Sequence, residues 1–165
     1  MRILDISNKL YYNITTNCNT YCEVCQVEIE WLILADSAQV VGNKLYLMGG
    51  GWDRLNVNKD FPFDQRCAIA VAVKIPWNET NAKHVFEIEV LGEDPTTEEP
   101  KSIAKIGGQF EVGRPAGIPA GQDQRIQMAI DMGLRLDGPG TKTVIARIDG
   151  NELRRLLFSV VAMKK

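Results

Sequence analysis

The hydrophobic positions of this chain fall in short runs with the two-residue period of strands. Glu28-Ile29-Glu30-Trp31-Leu32-Ile33-Leu34 alternates at first and then becomes wholly apolar, as a strand does on entering a core. Cys67-Ala68-Ile69-Ala70-Val71-Ala72-Val73-Lys74-Ile75 is apolar on both faces but small on one. That pattern predicts a central strand packed on large residues from one side. His84 to Val90 alternates through Val85, Phe86, Ile88 and Val90. Further runs cover Ile106 to Val112 and Arg125 to Leu136, where Ile126, Met128, Ile130 and Met132 alternate with Gln127, Ala129 and Asp131. Thr143 to Ile148 and Leu156 to Val161, joined at Asp149-Gly150, predict a terminal hairpin.

Turn chemistry separates these runs. Gly42-Asn43-Lys44 leads into Leu45-Tyr46-Leu47-Met48; Gly49-Gly50-Gly51 breaks that strand, and Trp52 to Leu55 reads as a bend or bulge. Pro76-Trp77-Asn78-Glu79-Thr80 closes the central strand. Gly92 to Pro100 is an acidic, proline-bearing exposed loop, Gly113 to Gly121 is an irregular connection, and Asp137-Gly138-Pro139-Gly140 is a turn. Ser37 to Val41 and Asn151 to Leu157 fit a helical turn, but neither has the length of a core helix. About seven or eight strands with frequent turn signals make the fold class all-β: an antiparallel β-sandwich, jelly-roll or immunoglobulin-like. Its expected core is Ile69, Val71, Val73, Phe86, Ile88, Val90, Ile130, Val144, Ile148 and Phe158.

Composition shifts near Gln26. Ile14 to Cys25 is rich in Asn, Thr and Cys, whereas strand-like runs start directly afterwards. Residues 1–26 therefore read as a cysteine-bearing leader, fused or truncated, and residues 27–165 as the sandwich domain.

From about Val27 onward the chain resembles a family of small bacterial proteins of unknown function. The residues that carry this are Ala38-Gln39-Val40-Val41-Gly42-Asn43-Lys44-Leu45-Tyr46-Leu47-Met48-Gly49-Gly50-Gly51-Trp52-Asp53 and Pro76-Trp77-Asn78-Glu79-Thr80, with Phe110-Glu111-Val112-Gly113-Arg114-Pro115. The resemblance implies a compact cytoplasmic domain and brings no activity with it. Within the leader, Cys18, Cys22 and Cys25 have the spacing Cys-x3-Cys-x2-Cys. This resembles the cluster motif of radical S-adenosylmethionine enzymes, and the resemblance implies a 4Fe-4S cluster held by three thiolates, with S-adenosylmethionine on the remaining iron. The chain departs from that family in having all-β patterning after the motif, where the family has a barrel of strands and helices. It also has Val24 where the family has an aromatic, and Trp52 where an acidic residue would follow the glycines. A zinc site is the other metal reading, with Cys67 or His84 as a fourth ligand if the leader folds back.

Charge narrows the function further. The formal net charge is -2, and the basic residues cluster tightly only at Arg154-Arg155 and Lys164-Lys165, which argues against nucleic acid as a partner. No stretch approaches the roughly 20 apolar residues that span a bilayer, and Met1 to Leu10 carries Arg2, Asp5 and Lys9 in place of a signal-peptide core. A cytoplasmic protein without a membrane partner is the expectation.

Gly49-Gly50-Gly51 lacks the Lys-Ser/Thr and helix start of a phosphate loop, so it reads as a bulge beside Trp52. His84, the one histidine, has no recognisable nucleophile partner in sequence. The acidic residues from Glu93 to Glu99 lack the ligand spacing of a calcium loop. Trp52, Trp77 and Arg114 are the candidate binding surface, because loop aromatics and arginines contribute disproportionately to recognition. The sequence shows no catalytic residue. It points to a non-enzymatic binding or protein-interaction module, with iron–sulfur binding through Cys18, Cys22 and Cys25 as the alternative; the partner and oligomeric state stay open.

Overall fold

A computed structural model describes residues 26–93 and 99–163. Ten strands run in chain order as β1 Glu28–Ala35, β2 Ser37–Val41, β3 Lys44–Met48, β4 Arg54–Val57, β5 Phe63–Ile75, β6 Lys83–Gly92, β7 Lys101–Glu111, β8 Gln124–Leu136, β9 Gly140–Ile148 and β10 Asn151–Ala162. A three-stranded sheet has the order β1-β5-β8, a five-stranded sheet the order β4-β10-β9-β6-β7, and β2 with β3 forms a hairpin of its own. The two larger sheets enclose one hydrophobic core, so the all-β sandwich expected from the pattern is what forms. No helix among the described residues is long and apolar enough to cross a membrane.

The central strand shows why the pattern gives this architecture. Along β5, Cys67, Ile69, Val71, Val73 and Ile75 face the five-stranded sheet and are buried with Ile88, Val90, Val144 and Phe158. Side chains of this kind contribute roughly 1.5 to 3 kcal/mol each on burial. The alternate residues Ala68, Ala70 and Ala72 are equally buried on the opposite face. Small size lets the β2–β3 hairpin cover Ala68 and Ala70, on which Ala38 and Leu45 pack. The opposite sheet keeps its outer face polar, where Arg147 bridges Glu87 and Glu89, and Lys105 also pairs with Glu87.

Nine of the ten expected core residues are buried. Ile130 is half-buried and packs on the rim, because β8 is an edge strand. Among the described residues the strands number ten rather than seven or eight. Ser37–Val41, which fits a helical turn on sequence, is β2; Gly42 and Asn43 take φ of 57° and 60°, the left-handed pair that folds it onto β3. Arg54 and Leu55, expected within a bend, instead begin β4, which pairs in parallel with β10 and is the one parallel pair among the described strands. Asn151–Leu157 is likewise extended, as the start of β10, because Asp149 and Gly150 at φ 53° and 80° turn the chain directly back along β9.

Candidate functional site

At one end of the sandwich, β5 gives way to β6 through Pro76 and a single 3-10 turn, Trp77–Glu79. Proline fixes its own φ and starts the turn, and Thr80 then ends it in an extended conformation. The Thr80 hydroxyl is buried and donates to the Trp77 carbonyl at 2.7 Å while accepting from Arg114 Nε at 2.5 Å. Arg114 Nη2 donates to the same carbonyl at 2.8 Å. Its guanidinium lies 4.3 Å from the centroid of the Trp77 ring. Planar stacking together with forked donation is what a guanidinium does and an ammonium cannot. Asn81, at φ 60°, donates its backbone N–H to the Val112 carbonyl at 2.8 Å and so fastens the turn to the end of β7. Gln124 holds the following connection through the Gly113 carbonyl at 2.9 Å.

Beside this pair lies His84, 3% exposed, with its ring tilted on Phe110 at a centroid distance of 5.3 Å. Its Nδ1 is 2.8 Å from the Asp149 carboxylate, and its Nε2 is 3.2 Å from the Glu79 carbonyl. A backbone carbonyl only accepts, and an ionised carboxylate only accepts, so both ring nitrogens carry hydrogen. Burial opposes the charged ring, but the Asp149 hydrogen bond, the Glu79 carbonyl and the two nearby carboxylates outweigh it and raise the His84 pKa. Burial pushes the Asp149 pKa up, yet His84 and the Val85 N–H, which donates to its other oxygen at 2.8 Å, hold it below the ordinary range. A shallow cleft of about 260 Å³ opens here between Glu79, His84, Asp149, Asn151 and Leu153.

This geometry limits the chemistry. A doubly protonated His84 has no lone pair with which to accept a proton, and Thr80, the nearby hydroxyl, spends its oxygen on Arg114 and Trp77. Among the described residues, no hydroxyl or thiol is hydrogen-bonded to His84.

Two of the three expected surface residues therefore meet. Trp77 and Arg114 form one unit, whereas Trp52 packs elsewhere, edge-on to Phe158 at 5.5 Å and against the core. The glycine run is structural. An added Cβ on Gly49, at φ 60°, would overlap the Asp36 carboxylate, and Gly51 donates to the Leu34 carbonyl at 2.7 Å. Cys67 is buried in the core, where desolvation, then Asp131 and Asp36, push its thiol up to about 11. It and His84 are accordingly poor fourth ligands for a metal. Cys18, Cys22 and Cys25 lie outside the described residues, as do Asp94 to Glu98 of the acidic loop. Among the described residues, no group of three or more His, Cys, Asp or Glu side chains is placed to hold a metal ion. Sequence reading did not join His84 to Asp149, 65 positions apart, and the chain offers no local signal for that pair.

Residues 30–161 match the model of a family of unknown function, DUF6941. The chain belongs to this family. The match runs from β1 into β10, so DUF6941 corresponds to the sandwich, and the cysteine-bearing segment precedes it. No curated protein matches the sequence. Among solved structures, similarity is found to a β-glucosidase from Listeria innocua in complex with glucose (10% identity, TM-score 0.43, 82% of this chain and 16% of that one). It is also found to the alkylpurine DNA glycosylase AlkC of Pseudomonas fluorescens bound to DNA containing an abasic site analogue (16% identity, TM-score 0.41, 82% of this chain and 30% of that one). A third is the superoxide reductase neelaredoxin of Ignicoccus hospitalis (12% identity, TM-score 0.40, 83% of this chain and 80% of that one). The DUF6941 chain thus spans a small part of the first two, and likeness at this level carries nothing about function.

Proposed function

We propose that this DUF6941 protein is a non-enzymatic binding module whose recognition surface is centred on Trp77 and Arg114. The observation that carries the reading is the stacked Trp77–Arg114 pair, fixed from beneath by Thr80 and the Trp77 carbonyl. An aromatic and a guanidinium already locked in place lose little conformational entropy when a partner docks, which is how such residues become binding hot spots. The saturated hydrogen bonding of His84 supports the non-enzymatic part of the reading.

The test is a binding screen of isotope-labelled protein against peptide and small-molecule libraries, followed residue by residue by NMR. The reading expects hits that move the Trp77 indole and Arg114 Nε resonances, and that are lost in Trp77→Ala with the fold intact. Hits that bypass both residues would refute the placement of the surface. Turnover of any library member, abolished by one polar substitution that leaves the protein folded, would refute the module itself.

A further inference from the structure

Along one side of the sandwich, β7 and β8 are the last strands of their sheets. β7 has eleven residues, and none of them is buried. From Lys105 to Glu111 its pairing with β6 runs without a bulge, from Glu89 opposite Lys105 to Lys83 opposite Glu111. Among the described strands, none pairs with its other edge, which offers a regular row of backbone N–H and C=O groups. Proline, a bulge or an inward-pointing charge would block such an edge, and Lys105–Glu111 carries none of them. The inner face of this stretch is also open. Gly108 stands opposite Phe86, and an added Cβ there would meet nothing within 4 Å. The gap is a shallow apolar hollow of about 170 Å³, lined by Phe86, Ile106, Phe110, Met128 and Ile130. Ile106 stands on its rim, 39% exposed.

The sequence of β7 matches one partner, a second copy of β7. Two copies can add edge to edge as antiparallel strands about a two-fold axis. With the axis at Gly108, Lys105 of each copy faces Glu111 of the other, and Ile106 of each faces Phe110 of the other. Opposite charges, and an aromatic against a β-branched residue, are the cross-strand pairs that stabilise antiparallel sheets. Symmetry makes each pair twice. The charged pairs fall on the outer face, where Lys105 reaches Glu87 at 2.8 Å and its ammonium has further donors to offer. The apolar pairs fall on the inner face, at the hollow. An axis at Gly107 would set Lys105 against Gln109 and Ile106 against Gly108, and so form neither pair. An axis at Ile106 would match Glu111 with Lys101 but set Phe110 against Ser102. We propose that this protein forms a two-fold dimer through β7, with Gly108 on the axis, so that two five-stranded sheets become one continuous sheet. The proposal does not depend on the Trp77–Arg114 surface.

Sedimentation of the full chain across a wide concentration range, at low ionic strength, should show a monomer–dimer equilibrium. Hydrogen exchange of the backbone amides from Lys105 to Glu111 should slow as the dimer forms. Lys105→Glu and Glu111→Lys each set like charges opposite one another twice, and each should weaken self-association by at least about tenfold. Mixed in equal amounts, the two variants match both charge pairs again, so the mixture should dimerise about as well as the wild type. No other register of β7 on β7 gives that recovery. A monomer at every concentration would overturn the proposal, as would a dimer that both folded variants leave intact, or folded variants whose mixture does not recover. Protection of the β7 amides in the monomer would show that another segment of the chain covers this edge, which also overturns it. If either variant does not fold, the concentration dependence of β7 protection in the wild-type protein decides the question alone.

Discussion

The two ends of this sandwich both gather charged side chains, and they use them in opposite ways. At the β5–β6 end, Arg114 is stacked on Trp77 and bonded to Thr80, and His84 is held between Asp149 and Glu79. Each cation there has a partner, and each partnership joins two elements of the fold. At the β6–β9 end, Lys142 is as buried as His84 as a whole residue, but it lines a cleft together with the Glu93 carboxylate and makes no ion pair among the described residues. The lesson is that burial of a charge does not by itself reveal its role. A charged group with buried hydrogen-bond partners joins elements of the fold, whereas a lysine that buries its stem and lets its ammonium reach a cleft costs the fold little.

The largest effect expected from breaking this contrast is in Asp149→Ala. The substitution removes the hydrogen bonds to His84 and to the Val85 N–H, and it places alanine at a φ of 53°. Lost hydrogen bonds to a charged group plus left-handed strain should destabilise the protein by about 3 kcal/mol. Urea unfolding monitored by tryptophan fluorescence measures this, and a loss below a third of that value would show the His84–Asp149 pair to be incidental. Arg114→Met should come next, at roughly 1 kcal/mol for the stacking and the exposed hydrogen bonds. Arg114→Lys should restore little of it, because an ammonium lacks the planar fork.

The pH dependence sharpens the same contrast. The His84 pKa is raised in the folded state, so its contribution is fully present below the unfolded value of about 6.5 and fades as pH rises through the folded value. Wild-type stability should therefore carry a downward component starting above about pH 6.5 that His84→Gln lacks. The lowered pKa of Asp149 works in the other direction, with its contribution present above about 3.9 and lost as acid protonates it. A His84→Gln profile that runs parallel to wild type across the whole range would contradict the doubly protonated ring.

Smallest of all should be the effect of deleting residues 1–26. Gln26 and Val27 border the cleft beside His84, but the core begins at Ile29. We expect cooperative unfolding within about 10 °C of the full chain. Loss of cooperativity, or strong stabilisation of the full chain by added iron and sulfide, would instead make Cys18, Cys22 and Cys25 integral to the protein.

Much of the fold was legible because the deciding signal was local. The alanines of Cys67 to Ile75 announce a strand buried on both faces, and Asp149-Gly150 announces its hairpin. β2 and β4 were not legible, since Ser37-Ala38-Gln39-Val40-Val41 does not alternate and Arg54–Val57 is four residues long beside a glycine run. Trp77 and Arg114 were legible as loop residues of the right chemistry, yet not as a pair, because 37 positions separate them and only the sheets bring their loops together. Lys142 was invisible for a related reason. It stands in a strand among Thr141 and Thr143 like any surface lysine, and only the convergence of four strands buries it.

The measurement that tests the contrast most directly is the size of the effect of two matched charge removals, Arg114→Met and Lys142→Met, compared by urea unfolding. Arg114→Met should lower the midpoint. Lys142→Met should leave it nearly unchanged, because the buried part of Lys142 is its stem and methionine keeps that packing while the ammonium already reaches the cleft. If Lys142→Met instead destabilises the protein as Arg114→Met does, Lys142 is satisfied within the fold, and the distinction between the two ends is wrong.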